Sequence, residues 1–349
     1  MTIDNRTRLI DRLIKINLKN MFKSKIIGMG HSVPENIITN DDLSKIMDTS
    51  DDWIQSRSGI KERRWATDDV STSGLAYEAS INAINNSKIS PSEIDMIIVG
   101  TLSSDYFFPG VSAQLQEKLN LKNVGAFDIK AACSAFIYSI SIADQFIRTG
   151  AAKTILVIGA ETQTKLIEKS TEGRDVAVLF GDGAGAAILT KSDSESEILS
   201  THLHSDGKHL KDLWMEAPGA NKGSWVDESI DFSKFTPKMN GREVFRNAVT
   251  RFPEVINEAL DANDLDINDV KYIVPHQANY RISEAIAKKL NVEMDKVISN
   301  IHKYGNTTAA SIPIALAEAL EMKKISTGDI IILAAFGAGF TWASAAIRW

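Results

Sequence analysis

The 349-residue sequence predicts an α/β protein built from two similar halves. Three observations predict it. Segments recur in the same order at a spacing of about 171 to 178 residues, far too long for a solenoid repeat. Strand-like stretches alternate with helix-like ones, as in units joined by crossover helices. The strand-like stretches, Ile155–Ile158 and Ile330–Ala334 above all, are almost unbroken apolar runs, which suits strands covered on both faces. Two such halves packed together predict a layered α/β/α/β/α body with a site between them.

In chain order, the first twenty residues carry five Lys or Arg against Asp4 and Asp11, with Leu9, Leu13 and Ile16 at helical spacing. The two acids, and the lack of a small-residue cleavage site, argue against a targeting peptide. Residues 1–20 therefore read as an extension outside the core, with folded sequence from Met21. Residues 21–195 form the first half. Its turn-and-strand Ser90–Thr101, helix Gln114–Leu121 and strand Thr149–Ala160 are answered in the second half, residues 196–349, by Asn268–Gln277, Ala285–Val292 and Thr327–Ala338. The polar run Lys191–Glu197 marks the boundary. Residues 202–240, with little periodicity, read as an irregular capping loop.

A net charge of −6 and a pI near 5.6 argue against a general nucleic-acid binder. Cys133 is the only cysteine, which excludes an internal disulfide framework and a cysteine-rich metal centre and suits a reducing cytoplasm. No apolar run is long enough to span a membrane. His202, His204 and His209 lack further ligands at metal-site spacing, so no metal is expected. The glycines of Phe180–Gly185 fit neither a P-loop nor GxGxxG and read as packing turns, so no nucleotide cofactor is expected.

Three residues stand where chemistry could be done. Cys133 follows the apolar run Val124–Ile129 and opens the helical stretch Ser134–Thr149. A thiol at a helix N-terminus is favoured as thiolate, which lowers its pKa; a lone cysteine among small residues is also an ordinary core residue. His276 ends a second-half strand, where ligands of α/β sheets bind, or is a capping histidine. Asn306, in Tyr304–Thr308, falls within a few residues of the duplicate of the Cys133 corner, or simply makes a turn. The glycines of Phe336–Phe340 let backbone N–H groups approach a ligand closely, as an oxyanion hole requires.

Ala131–Ser134, Pro275–Asn279 and Gly305–Thr307, with Asp52–Ile54, Ser58–Ile60, Phe180–Gly185, Gly241–Phe245 and Phe340–Trp342, together resemble the β-ketoacyl-[acyl-carrier-protein] synthase III family. The resemblance runs from Met21 to Trp349 and implies a thiolase-like fold. It implies that Cys133 takes an acyl group from a coenzyme A thioester, acetyl-CoA above all. The Cys133 N–H and the Gly337, Ala338 and Gly339 loop would hold the oxyanion. His276 and Asn306 would then assist decarboxylation of a malonyl thioester on acyl-carrier protein. By the same resemblance Trp53, Arg57 and Arg174 bind coenzyme A, a substrate here rather than a cofactor. Gln277, Ala278, Asn279, Tyr280 and Arg281 would contact the carrier protein, in a stretch (Lys271–Lys303) with six basic residues against three acidic ones. Ala135, where the family usually has Gly, and Phe108, reaching across a homodimer interface, would shape a restricted acyl pocket.

A papain-like cysteine hydrolase also uses Cys, His and Asn in this order, but the Cys-Trp signature is missing and duplicated halves are the wrong architecture. A condensing enzyme of secondary metabolism keeps the fold. A 3-hydroxy-3-methylglutaryl-CoA synthase would need a glutamate beside the thiol, and the sequence places none.

Overall fold

The computed structural model describes residues 21–220 and 231–349, so the extension expected at residues 1–20 lies outside the described residues. In the first half, β1 (Lys23–Ser32), β2 (Met96–Gly100), β3 (Gly125–Ile129), β4 (Thr154–Glu161) and β5 (Gly183–Ser192) form a sheet in the order β1-β5-β4-β2-β3. In the second half, β6 (Glu197–Ser205), β7 (Val270–Pro275), β8 (Ile330–Gly337) and β9 (Thr341–Arg348) take the order β6-β9-β8-β7. A single bridge from Ile273 to Val297 stands in the place of β3. Pairing senses repeat too: β2–β4 and β7–β8 are parallel, while β4–β5 and β8–β9 are antiparallel. The recurrence seen in the sequence is thus a repeated topology.

Six helices complete the layers: α1 (Thr72–Ser87), α2 (Val111–Lys118), α3 (Ala135–Arg148), α4 (Gly241–Asp261), α5 (Tyr280–Leu290) and α6 (Ser311–Glu321). α1 and α2 cover the outer face of the first sheet, α4 and α5 that of the second, and α3 with α6 lies between the sheets. The strands show why this arrangement suits the sequence. All eight residues of β4 are buried: Ile155 and Val157 face the central helices while Leu156, Ile158 and Ala160 face α1. β8 divides the same way, Ile331, Leu333 and Ala335 inward and Ile330, Ile332 and Ala334 toward α4 and α5. Alternating sides with apolar residues on both is what a strand between two helical layers requires.

One expectation is corrected. Residues 202–240 are not wholly irregular: β6 runs on to Ser205, and Leu213–Trp214 pairs with Lys238–Met239. A two-residue pairing is too short to show a period. No described helix is long and apolar enough to cross a membrane.

Candidate active site

Cys133 lies in a single 3-10 turn, Ala132–Ser134, between β3 and α3. Ala132 has φ +47°, an uncommon left-handed geometry for a residue with a Cβ. The second half repeats this kink: Thr308, at φ +50°, opens the turn Thr308–Ala310 ahead of α6. Ala309 is therefore the topological counterpart of Cys133, and Asn306 lies just before it.

Cys133 is 7% exposed. Its pKa is not lowered, as its place at a helix start suggested. Burial, with the charge of Glu161 adding to it, pushes the thiol up to about 12 against the pull of its own N–H. At neutral pH Cys133 rests as a thiol. Glu161 ends β4 fully buried, accepting from the Leu102 and Ser103 N–H groups and the Ser103 hydroxyl. Burial lifts it to about 7 despite those bonds. This is the glutamate near the thiol that sequence reasoning missed; its one signal was an acid closing an apolar strand.

β7 delivers His276, whose backbone N–H donates to Ala334 of β8 at 2.8 Å. Its Nδ1 lies 2.6 Å from Ser311 Oγ at the start of α6, and the Gln277 N–H donates to that same oxygen at 3.3 Å. When the Ser311 hydroxyl donates to Nδ1, the ring proton sits on Nε2. Burial lowers the imidazole to about 3, so it is neutral. Asn306 is fixed similarly. Its Oδ1 accepts the Thr308 N–H at 2.9 Å, leaving the NH₂ group to donate elsewhere. Its backbone bonds Leu179 and Gly181 of the first half, and Asn300, Lys303 and Tyr304 tie the loop to Glu318 on α6.

Cys133, His276 and Asn306 line one inner cavity of about 170 Å³, with Phe336 and Gly337. It shares Leu179, Met239, Gly241 and Asn279 with an outer groove of about 260 Å³ that Trp53 and Arg57 line. The two make a channel from Trp53 to the thiol. The Arg57 and Arg174 guanidiniums lie 4.4 and 5.5 Å from the Trp53 ring centre, so all three expected coenzyme residues meet at its mouth. A larger cavity of about 480 Å³ also opens on Cys133, and Ala338 and Gly339 line it. Gly337 lies against the thiol: a Cβ there would stand 2.8 Å from Cys133 Cβ and 2.9 Å from its N.

Other expectations are corrected. Ala135 does not shape the acyl pocket: it is 1% exposed, and a Cβ built on Gly100 of β2 would come within 2.7 Å of its methyl group. Its methyl is absorbed by a glycine in the facing strand. Phe107 lines the 480 Å³ cavity, while Phe108 points outward, 80% exposed in the single chain. Gln277 cannot touch a carrier protein, being 2% exposed with its amide spent on Pro275, Ile298 and Asn300. Asn279 caps α5 and donates to the Arg57 carbonyl, Ala278 lines the inner cavity, and Tyr280 packs under Gly59. Arg281 is the exposed member of that segment. His202 and His204 both reach Glu258, and His209 reaches Asp212.

Duplicated α/β halves in five layers, with a thiol, a neutral imidazole and an amide converging at their junction, define a condensing enzyme of the thiolase-like fold. Residues 127–207 match the family model for 3-oxoacyl-[acyl-carrier-protein] synthase III, and residues 260–349 match its C-terminal model. A β-ketoacyl-[acyl-carrier-protein] synthase III of Xanthomonas campestris pv. campestris is 46% identical over 93% of this chain and 98% of its own. The crystal structure of 3-oxoacyl-[acyl-carrier-protein] synthase III from Aquifex aeolicus superposes with a TM-score of 0.86 at 43% identity, covering 93% of this chain and all of that one. A priming β-ketosynthase of a polyketide pathway reaches 0.87 at 32% identity, over 94% and 96%. The chain belongs to the β-ketoacyl-[acyl-carrier-protein] synthase III family, whose members are acyltransferases.

Proposed function

We propose that the chain condenses an acyl-CoA primer, acetyl-CoA in the first instance, with malonyl-[acyl-carrier protein] and so starts fatty-acid chains. The convergence of Cys133, His276 and Asn306 on one cavity at the end of the Trp53 channel carries this reading. Trp53, Arg57 and Arg174 hold the coenzyme at the mouth, and the thioester reaches Cys133. Sγ attacks its carbonyl; the negative oxygen is met by the Cys133 N–H and an amide of the Gly337–Gly339 loop, and coenzyme A leaves as the free thiol, taking up the proton that Sγ gives up. The malonyl thioester follows. As CO₂ departs, charge builds on the thioester oxygen, and Nε2–H of His276 with the Asn306 NH₂ group supplies two donors for it. Neither donor titrates near neutral pH. The enolate carbon then attacks the acyl–Cys133 carbonyl, releasing the 3-oxoacyl product and the Cys133 thiolate, which takes a proton from water.

Arg281, exposed beside the mouth, suits an acidic carrier protein, and Phe108 suits the surface of a homodimer in the cytoplasm. The test is intact-protein mass with acetyl-CoA, followed by CO₂ release from malonyl carrier protein. Cys133→Ser is expected to lose the stable acyl–thioester adduct. His276→Ala and Asn306→Ala are expected to keep it while decarboxylation falls about 100-fold or more, the usual cost of one lost donor. Acylation surviving in Cys133→Ser, or full decarboxylation in the other two, sinks the assignment.

A further inference from the structure

The 480 Å³ cavity is far larger than an acetyl group needs, and one side chain on its wall is unaccounted for. Gln163 follows β4 in the 3-10 turn Gln163–Leu166 and lines this cavity together with Cys133. It is 7% exposed, yet its buried amide oxygen has no hydrogen-bond partner among the described residues. Its Oε1 is fully enclosed, and which end of the amide is oxygen is fixed only by a partner. Thr308, on the same wall, is 2% exposed and its buried Oγ1 also lacks a partner. The rest is largely apolar, with Leu102, Leu166, Leu213, Trp214 and Met215 among the lining residues.

A buried amide is a poor wall for a plain hydrocarbon, because each primer bound there leaves it unpaired. An acyl chain carrying a hydroxyl removes that cost, since a hydroxyl both donates and accepts and pairs with either end of a primary amide. We propose that, among primers longer than acetyl, this cavity selects one whose chain carries a hydroxyl, read by Gln163. The proposal rests on Cys133 being the acyl carrier. Sites that bond a substrate hydroxyl reject the analogue lacking it far more strongly than apolar pockets reject an extra group.

The experiment is acylation of Cys133, followed by mass, from acetyl-CoA, octanoyl-CoA, octanoyl-CoA hydroxylated at C3, C5 or C8, and the CoA monothioester of the eight-carbon dicarboxylic acid. One hydroxylated primer is expected to surpass octanoyl-CoA by about 10-fold or more in kcat/KM. Gln163→Leu, its fold checked by thermal unfolding, is expected to abolish that preference while still acylating from octanoyl-CoA. Equal or better use of octanoyl-CoA than of every hydroxylated octanoyl primer by the wild type overturns the proposal. So does a preference for the dicarboxylic primer, which would point to Lys130 at the same cavity instead. An unchanged preference in Gln163→Leu overturns it as well. No adduct from any primer overturns the acyl-carrier reading itself, a distinguishable failure.

Discussion

Cys133, Glu161 and His276 are buried ionisable groups, and burial pushes each toward its neutral form. For Cys133 the consequence is kinetic. Alkylation by iodoacetamide should keep rising with pH beyond 9, with no plateau at the ordinary thiol value. Removing the nearby negative charge should help: Glu161→Gln is expected to speed alkylation about 3- to 10-fold at pH 8. A slower or unchanged rate refutes the electrostatic coupling. For His276 the consequence is thermodynamic. Its folded pKa, about 3, lies below its ordinary 6.5, so between these values the unfolded chain binds a proton that the folded chain refuses. Stability from this group is full above pH 6.5 and drains as pH falls, by roughly 2 kcal/mol at pH 5. Glu161 acts oppositely: raised from 4.5 to about 7, its contribution is present below pH 4.5 and lost as pH rises through 7. Comparing His276→Asn with wild type isolates the first effect. Urea unfolding at pH 7 and pH 5 should show a smaller acid loss in the variant; parallel losses would refute the shift.

At the scale of elements, the turn from β8 to β9 matters as much as any side chain. Gly337 ends β8 against the backbone of Cys133, and the clash a Cβ would make is with backbone and Cβ atoms, which yield little. Gly337→Ala is expected to cut the rate of acyl–Cys133 formation about 100-fold, the penalty of a displacement near 1 Å at a reacting centre. Rapid-quench mass measurements check this, and wild-type rates would refute it. Elements of this kind also mark how far the sequence could be read. β4 and β8 were legible because burial on both faces leaves an unbroken apolar run. The kink at Ala132 was not, since an alanine at positive φ carries no compositional sign. Ser311 was equally hidden: a serine opening a helix looks like an ordinary helix-start residue, and only the fold sets it beside His276. Ala135 misled because a methyl group near the nucleophile looks obstructive until Gly100 is seen facing it.

For the whole molecule, duplication made the architecture readable and brought Cys133 and Asn306 to related corners, although their exact register required the matching kinks at Ala132 and Thr308. Gln277 shows the opposite limit: motif position drew it toward a partner, whereas the fold spends its amide on three backbone groups. The molecule also presents an apolar face, with Tyr106, Phe107 and Phe108 exposed by 60, 70 and 80%, and β3 as the open edge of the first sheet. Such a face marks an association surface. Sedimentation should show a dimer, and Phe108→Asp should shift it toward monomer; a monomeric wild type would refute this. The two cavities that meet at Cys133 have one more consequence. An inhibitor threaded along the Trp53 channel would compete with coenzyme A, whereas one seated against Gln163 would engage a wall peculiar to the primer. Tethering both to a single warhead on Cys133 would join the potency of the first to the selectivity of the second.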